Sequence, residues 1–243
     1  MIENKKTLGV IGGLGPMATA HFMKLIIDMT DVGSDQEHLP MLVYNMPIIP
    51  DRTGHILDNS KPSPLPMMRK FGQALTEQGA DFIAVPCITA HYFLDGLMEE
   101  LPTPFIHGVR ETVRHLKENG VKKVGIMATD GTIQTGLLSR ELQAQGLEPI
   151  IPDAENQTHV MHIIYKNAKA GLPVEMDRFH AAADHLRQKG AEATILGCTE
   201  LSLVKRDNPI GPGFIDALEV LAQQSVLHCG MPLKAEYKCL ITR

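Results

Sequence analysis

The sequence predicts an α/β protein of two similar lobes, each a mainly parallel sheet flanked by helices and related to the other by pseudo-twofold symmetry. Three observations carry this. Short apolar runs alternate with segments of helical period along all 243 residues, a pattern that builds parallel sheets covered by helices. The pattern restarts near the middle of the chain. Composition agrees: apolar residues make up 44%, aromatics only 5%, and Trp is absent. The cores are therefore built from Ile, Leu, Val, Ala and Met, as suits strands buried on both faces. The length divides into two compact lobes of roughly 100 residues each.

Taken in order, Leu8-Gly9-Val10-Ile11 is a first strand, ending in Gly12-Gly13. Pro16 then fits the first turn of a helix, where its missing N–H costs nothing. That helix presents Ala18, Phe22, Leu25 and Ile26 to the core. Met41 to Tyr44 is a second strand, and Pro47 to Pro66 an irregular loop long enough to suggest function. Met67 to Gly79 is a helix, Phe82 to Val85 a buried strand before Pro86-Cys87, and Ala90 to Leu101 a helix. Phe105-Ile106 is a short strand, and Val109 to Asn119 a helix closed by Gly120. The second half opens with a strand, Lys123 to Ala128, and Thr129-Asp130-Gly131-Thr132 starts a helix. Asp153 to Lys169 and Val174 to Lys189 are helical, and Thr194 to Leu196 is a strand ending at Gly197-Cys198. Gly213 to Asp216 is a last strand, followed by a helix from Ala217 to Val226.

Several functions are excluded. The net charge is −5, and no Lys/Arg cluster is dense enough to track a phosphate backbone. No apolar stretch approaches the ~20 residues that span a bilayer. The start, Met1 to Lys6, carries no apolar leader, so a cytoplasmic protein is expected. Four cysteines in a chain this long make no disulfide scaffold. Gly13-Leu14-Gly15 lacks the third glycine of a dinucleotide loop, Ala18 standing in its place.

The repeat places chemistry as well as fold. Each half has a strand that ends in a cysteine with a threonine close behind, Cys87-Ile88-Thr89 and Cys198-Thr199. Ligands of open α/β sheets bind beyond the carboxyl ends of strands. If the lobes face each other, their cleft brackets a small molecule with a thiol on either side. Two such groups suit inversion of a carbon centre: one removes a proton while the other delivers one to the opposite face. An ordinary thiol pKa of about 8.5 needs only a modest lowering for this, and both cysteines precede helix starts, whose dipoles lower it. Proton loss also needs charge stabilised on a substrate carboxylate. The turns at Gly12 to Gly15, Thr89, Gly131-Thr132 and Thr199 offer N–H and hydroxyl donors. An acidic side chain would also want a cation: Arg52 is the leading candidate to grip that distal carboxylate, with Lys166 second.

Together these segments resemble the aspartate/glutamate racemase family, especially its aspartate racemase branch. The matching pieces are Gly12 to Thr19, Ile49-Pro50-Asp51-Arg52-Thr53, Pro86-Cys87-Ile88-Thr89-Ala90-His91, Gly131-Thr132, Lys166, and Gly197-Cys198-Thr199-Glu200-Leu201. They fall in the family's order across almost the whole chain. The resemblance implies a first lobe of residues 1–107 plus 212–243 and a second of 108–211. It implies a small acidic amino acid as substrate, Cys87 and Cys198 as the acid–base pair, no cofactor, no metal and a homodimer. It implies a substrate-facing set of Gly13, Met17, Arg52, Ile88, Thr89, Thr132, Lys166, Thr199 and Glu200. One departure stands out: Ile88 occupies a position where the family usually has Asn, and an aliphatic side chain cannot make that hydrogen bond. This leaves open a racemase or isomerase for another amino acid, a hydantoin or a small diacid, and a silent binder of acidic metabolites. Cys229 and Cys239 lack motif context and read as structural or surface thiols. His159 and His162 have a metal-like spacing without a third ligand, and His91 suits packing as well as catalysis.

Overall fold

The computed structural model describes residues 5–242. Met1 to Asn4, on which the reading of a leaderless start mainly rests, lie outside them. The first sheet has three parallel strands in the order β2-β1-β3: β1 (Leu8–Gly12), β2 (Met41–Asn45) and β3 (Phe82–Ala84). Leu8 sits opposite Met41 on one side and Phe82 on the other. Helix α1 (Pro16–Met29) joins β1 to β2 and buries Ala18, Phe22, Leu25 and Ile26. Between β2 and β3 run α2 (Arg52–Leu57) and α3 (Leu65–Glu77).

The expected irregular loop from Pro47 to Pro66 thus contains a helix. Its nucleus is a cap: the Asp51 carboxylate accepts from the Gly54 N–H at 2.6 Å. Six residues are too few to show a helical period. The helix expected from Ala90 to Leu101 is divided into a 3₁₀ turn, Ile88–Phe93, and α4 (Leu94–Glu100). Phe105 makes only an isolated bridge to Ile83 before α5 (Gly108–Glu118).

The second sheet has the order β5-β4-β6-β7 and is also parallel. Its strands are β4 (Lys123–Met127), β5 (Glu148–Ile150), β6 (Ala193–Leu196) and β7 (Phe214–Asp216). Between β4 and β5 lie α6 (Asp130–Gln134) and α7 (Leu137–Ala144). Helix α8 (Ala154–His162) runs into a π-helical turn, Ile163–Ala168, and α9 (Met176–Gln188) precedes β6. Helix α10 (Thr199–Asp207) follows β6, and α11 (Ala217–His228) follows β7. In both sheets the first strand of its half is flanked by the second and third. Cys87 follows the third strand of one sheet, and Cys198 the third of the other.

One expected boundary moves. The strand at Phe214–Asp216 does not extend the first sheet, because it hydrogen-bonds β6 as the edge of the second. Helix α11 then packs on both α1 and α5, one helix from each expected lobe. Residues 217, 218 and 220–226 of α11 are buried, so the helix is covered almost all round, as a central helix must be. Its Leu221 and Val226 join a core running from Leu8 and Val10 to Val124 and Ile126 of the other sheet. The tail packs on its own chain: Lys234 N donates to Met29 O at 2.9 Å and Thr242 N to Phe214 O at 2.8 Å. Among the described residues no helix is long and apolar enough to cross a membrane.

Candidate active site

Strands β3 and β6 run out at Pro86 and Gly197, and the next residue in each case is a cysteine in extended conformation that opens a helical turn. The two turns face one another. Cys87 and Cys198 are 6% and 5% exposed, and both line one small chamber with Leu14, Asp51, Arg52, Thr53, Thr89, Thr129, Lys169 and Glu200. About 220 Å³ of space between atoms lies in and at the mouth of the chamber, part of it open to solvent. The free room at its centre is on the order of one water molecule, so in this conformation the two halves are closed on each other.

The two sulfurs have opposite neighbours. Cys87 lies beside the guanidinium of Arg52. Its backbone carbonyl accepts from His91 Nδ1 at 3.0 Å, and the Gly108 N–H donates to His91 Nε2 at 3.0 Å. Nε2 must then be the bare nitrogen and Nδ1 the protonated one. Burial, then the nearby His107, lower the His91 pKa to about 3. His91 is thus a neutral bracket that ties the Cys87 turn to the start of α5.

Cys198 Sγ donates to Glu200 Oε2 at 2.8 Å. Burial, followed by the charge of Glu200, raises its pKa well above the ordinary thiol value, against opposing pulls from Lys169 and the Glu200 backbone N–H. The lowering expected from the helix start is overturned here, because desolvation and an adjacent carboxylate outweigh a helix dipole.

Arg52 is 8% exposed. Its Nη1 donates to the carbonyls of Ile49 at 3.2 Å and Pro50 at 2.9 Å, and its Nη2 to that of Leu14 at 3.0 Å. Of its five N–H donors, the buried Nε has no partner, and one on Nη2 remains. Both donors of Nη1 are therefore occupied, while Nε and one donor of Nη2 are left, with the Cys87 sulfur beside the guanidinium. Across the chamber three hydroxyls form a triangle: Thr89 to Thr129 at 3.0 Å, Thr89 to Thr132 at 3.1 Å, and Thr129 to Thr132 at 3.2 Å. It joins the Cys87 turn to the cap of α6.

Several members of the expected substrate-facing set lie elsewhere. Lys166 is exposed on the π-helical turn and does not line the chamber; Lys169 does. Residues 164 and 169 pair i to i+5, Lys169 N donating to Ile164 O at 3.0 Å; Lys169 is exposed as a residue like Lys166, but its side chain is only 29% exposed and lines the chamber. Lys169 Nζ lies 3.8 Å from Asp51 and 3.9 Å from the centre of the Tyr165 ring. Burial opposes its charge, but Glu200, Cys198, Tyr165 and Asp51 together raise its pKa. Ile88 is 1% exposed within the apolar core, so it packs rather than faces a ligand. Gly13 has φ +90°, its N–H donates to Thr19 Oγ1, and a Cβ there would lie 2.3 Å from the backbone nitrogen of Met46. It is required for loop geometry. Met17 is 58% exposed and lines a neighbouring outer space. Thr199 is buried behind the chamber, with its hydroxyl 3.3 Å from Glu200 Oε2. Arg52, Thr89 and Glu200 line the chamber as expected, and Thr132 adjoins it through the triangle.

Sequence reasoning missed Leu14, Asp51, Thr53, Thr129 and Lys169. Asp51 and Thr129 each cap a short helix, a pattern of Asp or Thr three residues before a bonded N–H that the sequence does show. Elsewhere, Cys229 is buried and its pKa is pushed up to about 12, chiefly by burial, while Cys239 bonds Asn119. His162 bonds Glu175 and His159 bonds Arg178.

The sequence profile of the family described as Asp/Glu/Hydantoin racemase matches residues 11–225. The chain is 27% identical over 230 residues to the broad specificity amino-acid racemase RacX of Bacillus subtilis, covering 90% of this chain and 96% of that one. Its fold matches Picrophilus torridus aspartate racemase with a TM-score of 0.83 and 29% identity, covering 97% and 99% of the two chains. A putative Asp/Glu racemase from Yersinia pestis matches at 0.78 and 22% identity, covering 92% and 99%, a likeness of fold alone.

Proposed function

The chain belongs to the Asp/Glu/hydantoin racemase family and is an isomerase of that kind, and from this premise we propose that it inverts the α-carbon of a free amino acid with Cys87 and Cys198 as its two acid–base groups. One observation supports this above the others: two buried thiols line one chamber, one beside a cation and one bonded to a carboxylate. Such a pair is asymmetric before substrate arrives, as two-base inversion requires.

Cys198, held as a thiol by burial and Glu200, is the acid of the first step. Cys87 is the base: its thiolate takes the α-hydrogen from one face of the substrate. Cys198 then gives its proton to the opposite face and is left as a thiolate, which Lys169 and the Glu200 N–H stabilise. The other enantiomer runs the same path backwards. Arg52 offers its two remaining donors to the α-carboxylate, where negative charge grows as the proton leaves. A chamber that admits so little water strengthens each of these charge interactions. The lobe division in this reading sets residues 1–107 against 108–216, with α11 packed on helices of both and the tail ending against β7. The enzyme is a homodimer that uses no cofactor or metal, and light scattering reads its mass.

The test is α-hydrogen exchange in heavy water together with loss of optical rotation, using aspartate and glutamate first. Cys87→Ala and Cys198→Ala each lower racemisation by about 10²–10⁴-fold, the usual worth of a proton-transfer group. Each variant still exchanges the hydrogen that faces its remaining thiol, so wash-out persists for one enantiomer only, and for opposite enantiomers in the two variants. Full racemisation by either variant would refute the two-thiol reading.

A further inference from the structure

The charges lining the chamber balance without any substrate. Arg52 and Lys169 supply two cations, and Asp51 and Glu200 two carboxylates. The working state adds one thiolate. A zwitterionic amino acid with an uncharged side chain adds nothing to this balance. An acidic side chain adds a buried negative charge, which is costly unless paired. Once Arg52 takes the α-carboxylate, each remaining cation lining the chamber or its approach, among the described residues, already has an acidic neighbour. Lys169 faces Asp51 and Glu200, and Arg206 pairs with Asp207 at 2.7 Å. Nη1 of Arg52, which an end-on grip of a distal carboxylate would need, is bonded to the carbonyls of Ile49 and Pro50.

Beyond Arg52, Lys169 and Glu200 lies a second space that shares these three residues as its inner wall. Its free volume is about 270 Å³. The rest of its lining is apolar or backbone: Pro16, Met17, Ala18, Ala168 and Leu203, with Gly15. Leu203 stands three residues after Glu200 on α10 and so continues the same helix face outward. Met17 and Leu172, both 58% exposed, form an apolar lip further out. Exposed large apolar side chains grouped at the mouth of a polar chamber mark a ligand surface, and the unbranched Met17 can adapt to side chains of different length.

Building on the two-thiol reading, we infer that this site takes amino acids with neutral aliphatic side chains, such as leucine and methionine, in preference to acidic ones. The backbone atoms of the substrate lie in the inner chamber. Its side chain passes between Lys169 and Glu200 into the apolar antechamber.

The experiment compares deuterium exchange of L-leucine, L-methionine, L-alanine and L-aspartate by the wild-type enzyme and by Leu203→Lys and Met17→Lys. The second variant changes an exposed residue and keeps the test valid should the first fold poorly. The wild-type kcat/KM for leucine and methionine exceeds that for aspartate by about tenfold or more, the scale on which an apolar pocket discriminates. Each added lysine lowers the leucine-to-aspartate ratio by about tenfold, because it spoils the apolar wall and supplies a counter-charge. Turnover of aspartate without leucine or methionine, or a ratio unmoved in both variants, overturns the antechamber inference and leaves the two thiols standing. No exchange with any of the four overturns the two-thiol reading itself.

Discussion

Glu200 accepts from the Cys198 thiol at 2.8 Å and so favours the protonated sulfur, while its own backbone N–H favours the thiolate. The pair turns over only while one thiol is ionised and the other still carries its proton. Enantiomers have equal free energy, so kcat/KM of the two directions is the same at each pH, and the surroundings of Cys198 are read in the basic limb that both directions share. Glu200→Gln retains an acceptor but loses the charge, so the Cys198 pKa falls and that limb moves to lower pH in both directions. A pH–rate profile of wild type and variant checks this, and a basic limb that does not move would place the control of Cys198 elsewhere. At this scale the sequence was informative about identity and poor about direction. The duplicated Cys and Thr pairs, Arg52 and Glu200 could be found as letters in a pattern. Ile88 and Gly13 sit in the same motifs, yet one points into the core and the other packs on the Met46 backbone. No motif records which way a side chain turns.

Elements explain most of the remaining differences. Strand and helix alternation is legible because each buried strand is a run of apolar residues and each helix carries a 3.6-residue period. Short elements escape that logic. Helix α2 has six residues and depends on the Asp51 cap, and β5 has three. The π-helical turn, Ile163–Ala168, is another case. One turn of i to i+5 bonding changes the facing of every later residue, and nothing in the local composition announces it. π-Turns are rare and cluster at functional sites; here the consequence is that Lys169, not Lys166, reaches the chamber. Lys169→Met removes a cation that offsets the thiolate on Cys198 and the carboxylates beside it. Its kcat drops by about tenfold or more, an electrostatic contribution of ~1–2 kcal/mol. Lys166→Met, on the exposed side, leaves both kcat and KM near wild type. Steady-state kinetics of the pair separate the two assignments, and equal losses in both variants would mean that the turn re-registers when substrate binds.

The whole molecule is held by groups that also hold the site, and this ties stability to pH in a specific way. His91 brackets the Cys87 turn against α5, and Asp216 accepts from Ser202 of α10 at 2.7 Å while capping α11. Both are buried and titrate abnormally, in opposite senses. Burial lowers the His91 pKa from 6.5 to about 3. Between those values the unfolded chain binds a proton there that the folded chain does not. Stability therefore falls as pH falls through this window, by up to about 1.4 kcal/mol per pH unit. His21, lowered to about 4 mainly by burial, acts in the same direction over most of the same range. Asp216 is raised from 3.8 to about 7, mainly by burial and then by Glu219. The folded chain keeps its proton longer, so its contribution is present at low pH and lost as pH rises towards 7. His107 and His115 are lowered by burial too, and four histidines against this aspartate leave a net loss on acidification. The folding free energy from denaturant titration should decline from pH 6.5 to 4. In His91→Gln, which keeps a donor and an acceptor but cannot titrate, the slope becomes shallower by about one proton's worth. In Asp216→Asn, which removes the opposing group, it becomes steeper. An unchanged slope in His91→Gln would show that the acid sensitivity arises outside the bracket that holds Cys87.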